Sequence, residues 1–385
     1  MADDDLHIYV HWPFCRSKCP YCDFNSHVDD AVDADRWRRA LVRELETFAT
    51  GAFAPAAGGR TIGSIFFGGG TPSLMEPAHV AAVIGTVRSL WPVAADCEIT
   101  LEANPTSSEA DRFRAFRAAG VNRLSVGVQS FDDAILRFLG RTHSAKEARK
   151  AVDMALSAFD RVSFDLIYAV PGQRPTDWAR QLTHALQLPV RHLSAYQLTV
   201  APGTAFHRRG VAVADEDVGG ALFETTRDIL AQAGLEAYEI SNHAAPGEEC
   251  RHNLEIWRGA DYLPVGPGAE GRLSAGGRCL ALAQHRQPQR WLAAVEARGH
   301  GLARRQPLSR AERQSELVML GLRLRTGLDA GRVRRETGSG LDEVLDPEGL
   351  GAMIDAGLIE RSPEGLRATD AGRQRLDWVL PRLLA

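Results

Sequence analysis

The chain has 385 residues, 44% hydrophobic and 24% charged, so a sizeable core in one large domain plus a smaller one is expected. Forty-five Lys and Arg against forty-nine Asp and Glu leave no global field for nucleic acid or an anionic membrane. The opening MADDDLHIYV lacks the basic and apolar regions of a signal peptide and no apolar run reaches transmembrane length, so the expected setting is soluble and cytoplasmic, with reduced thiols.

Short β-branched or aromatic runs alternate with helical patterns as far as about residue 240. The runs are LHIYVH (6–11), SIFFGG (64–69), EITLEA (98–103), RLSVGVQ (123–129), RVSFDLIY (161–168) and HLSAYQLTV (192–200). Between them lie periodic stretches such as 33–49, 77–91 and 107–120, the last opening on a capping box from Thr106 to Glu109 and closing on Gly120. Sixfold strand–helix alternation implies a parallel sheet with helical crossovers. Polar residues recur at the C-terminal ends of the runs, which favours a partial (β/α)6 TIM-like barrel, with its chemistry on that rim, over a doubly wound sheet. The expected division is 1–235 for the barrel, 236–306 for an irregular Gly- and Pro-rich closing segment with the linker GLARRQP, and 307–385 for a mostly helical C-terminal unit. That last unit opens on a second capping box, Ser309 to Glu312, and its helix–hairpin–helix pattern is winged-helix-like; interspersed acidic residues argue against DNA binding.

HIYVHWPFCRSKCPYCDFNSH places Cys15, Cys19 and Cys22 on the loop after the first strand. Three thiolates from one short loop can hold three irons of a [4Fe–4S] cluster and leave the fourth open to a small chelating ligand. The alternative is zinc, with His11 or His27 as fourth ligand, although no second ligand pair of the structural-zinc type follows. FFGGGTPS (66–73) reads either as a loop whose backbone approaches a ligand or as a tight turn. Glu102, Gln129, Arg141 and Asp165 each stand at or near a strand end; singly they read as solvated or capping groups, together as one shared site at the barrel mouth. Cys97 and Cys279 read as packing residues, and Trp12, Trp37 and Trp178 as core or interface aromatics.

The C-x3-C-x2-C loop, with Tyr21 before the third cysteine, resembles the signature of radical S-adenosylmethionine (SAM) enzymes. In that family the amino and carboxylate groups of SAM chelate the open iron, and reductive cleavage gives a 5′-deoxyadenosyl radical. The resemblance assigns Gly68, Gly69, Gly70 and Thr71 to the methionyl group of SAM. With YQLTVAPGT, YEISNHA and CRHNLEIW it extends over essentially the whole chain to the oxygen-independent coproporphyrinogen III oxidase-like family, which implies SAM contacts at Glu102, Gln129, Arg141 and Asp165 and places Tyr9 near the cluster.

The oxidase carries a further cysteine two residues after the third, where this chain has Phe24, and it has an extra segment before its first strand, which here starts near Leu6. CDFNSH and HNLEIW look instead like the heme chaperone branch, implying heme as a ligand and hemoproteins, including membrane-associated respiratory proteins, as clients, with no nucleic acid and a monomer or homodimer. Three positions depart from the branch pattern: Ile256 for Tyr, Glu270 for His and Ala169 for Gly. His252, with Cys250 two residues earlier, is the candidate heme contact; the alternative is a histidine that fixes its loop by hydrogen bonds. The competing functions are a radical SAM enzyme, either the oxidase or a related C-methyltransferase, and, more distantly, a zinc-stabilised barrel.

Overall fold

A computed structural model describes residues 5–29 and 31–384; the acidic residues 1–4 of the opening lie outside the described residues. The six expected runs form the parallel strands β1 (Leu6–Trp12), β2 (Ile62–Gly69), β3 (Val93–Ala103), β4 (Arg123–Gln129), β5 (Arg161–Tyr168) and β6 (His192–Gln197). They are hydrogen-bonded neighbours in sequence order. An order with no reversal is that of a barrel wall and not of a doubly wound sheet.

Each strand alternates. Leu6, Ile8 and Val10, Ile65 and Phe67, Ile99 and Leu101, Leu124 and Val126, and Phe164 and Leu166 are all buried in one apolar core. That core fills the space between the sheet and helices such as Ala34–Thr50, Pro77–Leu90 and Ala145–Ala158. Most of the alternate positions are polar. His7, Ser64 and Glu98 are register partners, as are Glu102, Ser125 and Ser163, and Asp165 and Ser194. This polar face differs from the Val, Ile and Leu layers that usually fill a (β/α)8 barrel.

Two expectations need correction. Residues 236–300 are regular: β7 (Glu236–Ala237), β8 (Asn242–Ala244), helix Arg251–Trp257, β9 (Tyr262–Val265), β10 (Glu270–Ala275), β11 (Arg278–Gln284) and helix Pro288–Arg298. GLARRQP is no free linker, because Leu302–Pro307 is β12 and pairs antiparallel with β11. These strands extend the sheet past both barrel edges to twelve, in the order β12-β11-β10-β9-β1-β2-β3-β4-β5-β6-β8-β7. The glycines that suggested irregularity sit in the turns. Gly276 and Gly277, at φ of 58° and 75°, join β10 to β11 in the doubly left-handed backbone that a tight two-residue hairpin requires.

The stretch 107–120 is a helix in two pieces, Ser107–Ala110 and Phe113–Ala118. Glu109 is buried and its carboxylate turns inward to the Ser73 hydroxyl and the Asn104 N–H, while also accepting from the Thr106 hydroxyl at 3.0 Å. The capping box at Ser309–Glu312 is present and opens helix Arg310–Gly321. Beyond it a separate apolar cluster, from Leu317 to Leu383, is built from helices and the small sheet β13 (Leu328–Asp329), β15 (Gly365–Ala368) and β14 (Ile359–Ser362), which is the helix–hairpin–helix pattern expected.

Candidate cluster and cofactor site

The cysteine loop is closed at its base. Phe14–Cys15 pairs in parallel with His27–Val28, and the Lys18 ammonium donates to the Ser26 carbonyl at 3.1 Å. The Asn25 carboxamide donates to the carbonyls of Pro267 and Arg286, both at 2.9 Å, and so ties the loop to the segments after β9 and after β11. Cys15, Cys19 and Cys22 are free thiols, each partly exposed. Each has its own polar neighbour. The Thr71 hydroxyl donates to Cys15 at 3.4 Å, the Arg141 guanidinium donates to Cys19 at 3.3 Å, and the Ser26 hydroxyl lies 3.7 Å from Cys22.

These donors fit an iron–sulfur cluster. Hydrogen bonds to cysteine sulfur stabilise the charge of such a cluster, and a guanidinium beside it compensates that charge further. The set fits zinc poorly. Both ring nitrogens of His11 are engaged, one with the Tyr9 hydroxyl at 3.1 Å and the other with the Asn25 carbonyl at 2.9 Å, and His27 turns to the Asn25 side chain at 3.3 Å.

The glycine loop after β2 packs directly on β1. A Cβ on Gly69, whose φ is +110°, would lie 2.6 Å from the His11 ring, and one on Gly70 would lie 2.8 Å from the Phe14 carbonyl. The N–H groups of Gly70 and Thr71 donate to the carbonyls of Trp12 and Phe14, so both serve the chain itself. Gly68 and Gly69 remain at the mouth, where the Gly69 N–H donates to the Glu102 carboxylate at 3.2 Å.

Glu102 and Asp165 approach each other across β4. Withdrawal from water, and then the neighbouring Asp165, push the Glu102 carboxyl up to about 8. Withdrawal from water pushes Asp165 up to about 6, against hydrogen bonds from Ser194 and Ser125 and the charge of Arg123. Arg141 reaches over β4 to the Gly127 carbonyl at 3.0 Å and the Asn104 side-chain oxygen at 2.5 Å. Gln129 ends β4 at a φ of 69°, and Ala169, just beyond β5, has a φ of 60°. Left-handed backbone at two non-glycine residues on adjoining strand ends is strain of the kind that gathers at functional rims. Tyr21 packs against Phe206 beside the loop, and Tyr9 stands one layer below it, its ring stacked on Phe66.

His252 lies below this group, its ring centroid 6.3 Å from that of Tyr9. It is 2% exposed at the N-terminal end of the barrel, where its Nδ1 meets the Ser64 hydroxyl at 2.8 Å and its N–H donates to Glu98 at 3.1 Å. Its ring stacks on Phe66. Cys250 also faces Glu98, at 3.5 Å. The Ser64 and Glu98 contacts fix the loop of His252, while its buried Nε2 has no hydrogen-bond partner among the described residues. Cys97 and Cys279 are buried, as are Trp12, Trp37 and Trp178.

Several residues of the site escaped the sequence reading. Asn104 bonds both Arg141 and Thr71, and Ser125 and Ser194 support Asp165. Deeper in the barrel Glu98 pairs with Arg161 at 2.8 Å and lies 4.0 Å from Arg123. Part of the signal was the alternation itself: on this face polar residues recur well before the strand end, as Glu98, Thr100 and Glu102, Arg123 and Ser125, Ser163 and Asp165, and His192 and Ser194 do.

The radical SAM superfamily matches residues 9–181 and the HemN C-terminal domain matches residues 308–375. The heme chaperone HemW of Escherichia coli is 37% identical over 99% of this chain and 98% of its own length. The chain belongs to the radical SAM superfamily, in the heme chaperone (HemW) branch of the coproporphyrinogen III oxidase-like family. The mitochondrial radical S-adenosyl methionine domain-containing protein 1 of Bos taurus is 42% identical over 98% of this chain and 87% of its own length. The solved coproporphyrinogen III oxidase (HemN) of Escherichia coli shares the fold, with a TM-score of 0.82 and 23% identity over 99% of this chain and 90% of that one. Among the described residues no helix is long and apolar enough to cross a membrane.

Proposed function

We propose that this protein is a heme chaperone that holds a [4Fe–4S] cluster on Cys15, Cys19 and Cys22, binds SAM over the glycine loop, and carries heme to client hemoproteins, respiratory proteins among them, in the cytoplasm. When bound, the cluster supplies an open iron to chelate SAM and an electron to cleave it. Glu102 and Asp165 would face the cationic groups of SAM, with Gln129 and Arg141 completing the rim. The observation that carries the chaperone reading over the oxidase is Phe24, which is 61% exposed on the cluster loop where the oxidase has its further cysteine. The full-length likeness to proteins named heme chaperone HemW supports the same reading.

A heme contact through His252 needs helix Arg251–Trp257 to lift from Glu98 and Ser64, since its ring is enclosed in the present arrangement. The test is anaerobic reconstitution followed by heme titration and a product assay. The expected protein holds about four irons and four sulfides per chain, binds heme, and leaves coproporphyrinogen III unconverted. Stoichiometric zinc without iron would refute the cluster, and protoporphyrinogen IX as product would overturn the chaperone reading. His252→Ala with an unchanged heme spectrum would confine that residue to its loop.

A further inference from the structure

Cys15 and Cys19 are linked by a chain of side-chain hydrogen bonds with Asn104 at its centre. The Asn104 Nδ2 donates to the Thr71 hydroxyl oxygen at 2.9 Å, and that hydroxyl donates to the Cys15 sulfur at 3.4 Å. On the other side the Arg141 Nη2 donates to the Asn104 Oδ1 at 2.5 Å, while its Nη1 donates to the Cys19 sulfur at 3.3 Å. The directions of these bonds follow from chemistry. A guanidinium can only donate, so the carboxamide must turn its oxygen to Arg141 and its NH2 to Thr71. The Thr71 oxygen then accepts from Asn104, and its single proton is left for sulfur.

Asn104 is held so that it can do this. Its N–H donates at 3.0 Å to Glu109, whose carboxylate also binds the Ser73 and Thr106 hydroxyls, and Pro105 restricts the backbone of Asn104 before it. Arg112 ties the same turn to the glycine loop through the carbonyls of Ser73 and Met75. The carboxamide is thus carried on two loops braced against each other.

We propose that Asn104 is a positioning residue that sets the reduction potential of the cluster, by aiming one hydrogen bond at the sulfur of Cys15 and another at that of Cys19. A donor to a cysteine sulfur stabilises the more negative, reduced cluster, so its loss makes reduction harder. The inference rests on the reading of the three cysteines as cluster ligands. It assigns Asn104 and the Thr71 hydroxyl to the cluster and not to substrate.

The test is a potentiometric titration of the reconstituted full-length protein without SAM, read by absorbance and electron paramagnetic resonance, in the parent, Asn104→Asp, Thr71→Val and Thr71→Ser. Aspartate cannot donate to Thr71, so the hydroxyl turns its proton to the new carboxylate and Cys15 loses its bond. Thr71→Val removes the same bond without adding a charge. Both should lower the ratio of reduced to oxidised cluster at a fixed potential by about fivefold, the worth of one net hydrogen bond. Thr71→Ser, which restores the hydroxyl, should match the parent. Iron and sulfide contents separate the two claims. Chains without iron would refute the cluster reading itself. Full clusters whose potentials match the parent in both Asn104→Asp and Thr71→Val, or an equal shift in Thr71→Ser, would overturn the role of Asn104.

Discussion

Glu102 and Asp165 are the residues through which pH should reach this site. With carboxyls raised to about 8 and about 6, both hold a proton in the folded chain where the unfolded chain has lost it. Folding stability contributed by this pair therefore falls as pH rises from about 4 to about 8, the reverse of a salt-bridged carboxylate. A cationic ligand acts in the opposite sense, because it favours the ionised carboxylates and expels the proton. SAM affinity should accordingly rise with pH between about 6 and 8, with about one proton released per SAM near pH 7. Glu102→Gln should flatten that dependence and weaken binding roughly tenfold or more. Calorimetry in buffers of different ionisation enthalpy measures both quantities; pH-independent affinity without proton release would remove SAM from these carboxylates. At this scale alternation and strand length placed Glu102 correctly beside the end of β3, whereas Asp165, expected at a strand end, lies within β5 with three residues of the strand after it. The sequence could not show that Ser125 lies between them, or that Asn104 reaches back to Thr71, since both follow from register and from how a loop folds over its neighbour.

Among the elements, helix Ala34–Thr50 has a second task beyond covering the sheet. Glu44, in its buried face, accepts from the Gly266 N–H at 2.8 Å, the Gly301 N–H at 2.7 Å and the Trp291 indole at 3.1 Å. Three segments distant in sequence, the turn after β9, the residue before β12 and helix Pro288–Arg298, are held by one carboxylate. Gly266 packs against the His11 backbone and Gly268 against the Asn25 side chain, so this clamp also supports the cysteine loop. Burial pushes the Glu44 carboxyl up to about 7 despite those bonds. Glu44→Gln keeps the shape but turns an NH2 toward one of the N–H donors, and should destabilise the fold by about 1–3 kcal/mol. Denaturant unfolding reads the loss, and faster hydrogen exchange at Gly266 and Gly301 would locate it; unchanged protection there would show that the clamp is dispensable. The helix was legible from its apolar period, and so was the capping box at Ser309. The strands from β9 to β12 were not. A Gly-Gly turn and short runs such as YLPV carry little periodic signal until a neighbouring edge is there to receive them.

At the scale of the whole molecule, the C-terminal unit touches the barrel through a line of polar groups that ends at Ser194, beside Asp165 of the candidate site. Arg323 lies over the Trp257 ring at 4.4 Å and donates to Glu239 at 3.1 Å. Glu239 accepts from the Asn242 carboxamide at 2.7 Å, and the Asn242 oxygen accepts from the Ser194 hydroxyl at 2.8 Å. Ser194 is the register partner of Asp165 and stands close enough to its carboxylate to lower its pKa, while its hydroxyl proton goes to Asn242. One hydroxyl has one proton, so Ser194 can satisfy Asn242 or an ionised Asp165, and not both at once. None of this connection was legible in advance, because β8 joins the sheet antiparallel at the far edge of β6 and only that pairing sets Asn242 beside Ser194. Breaking the line at its outer end should free the Ser194 proton for Asp165 and favour the ionised acid. Arg323→Ala and Glu239→Gln are each expected to change SAM affinity by severalfold. A double-mutant cycle of either with Asp165→Asn should give a coupling of about 1 kcal/mol, where unconnected sites would add within about 0.5 kcal/mol. Coupling within that additive range would show that the C-terminal unit is only a mechanical support. Coupling beyond it would mean that a change at the C-terminal unit is felt at Asp165, through the line of hydrogen bonds from Arg323 to Ser194.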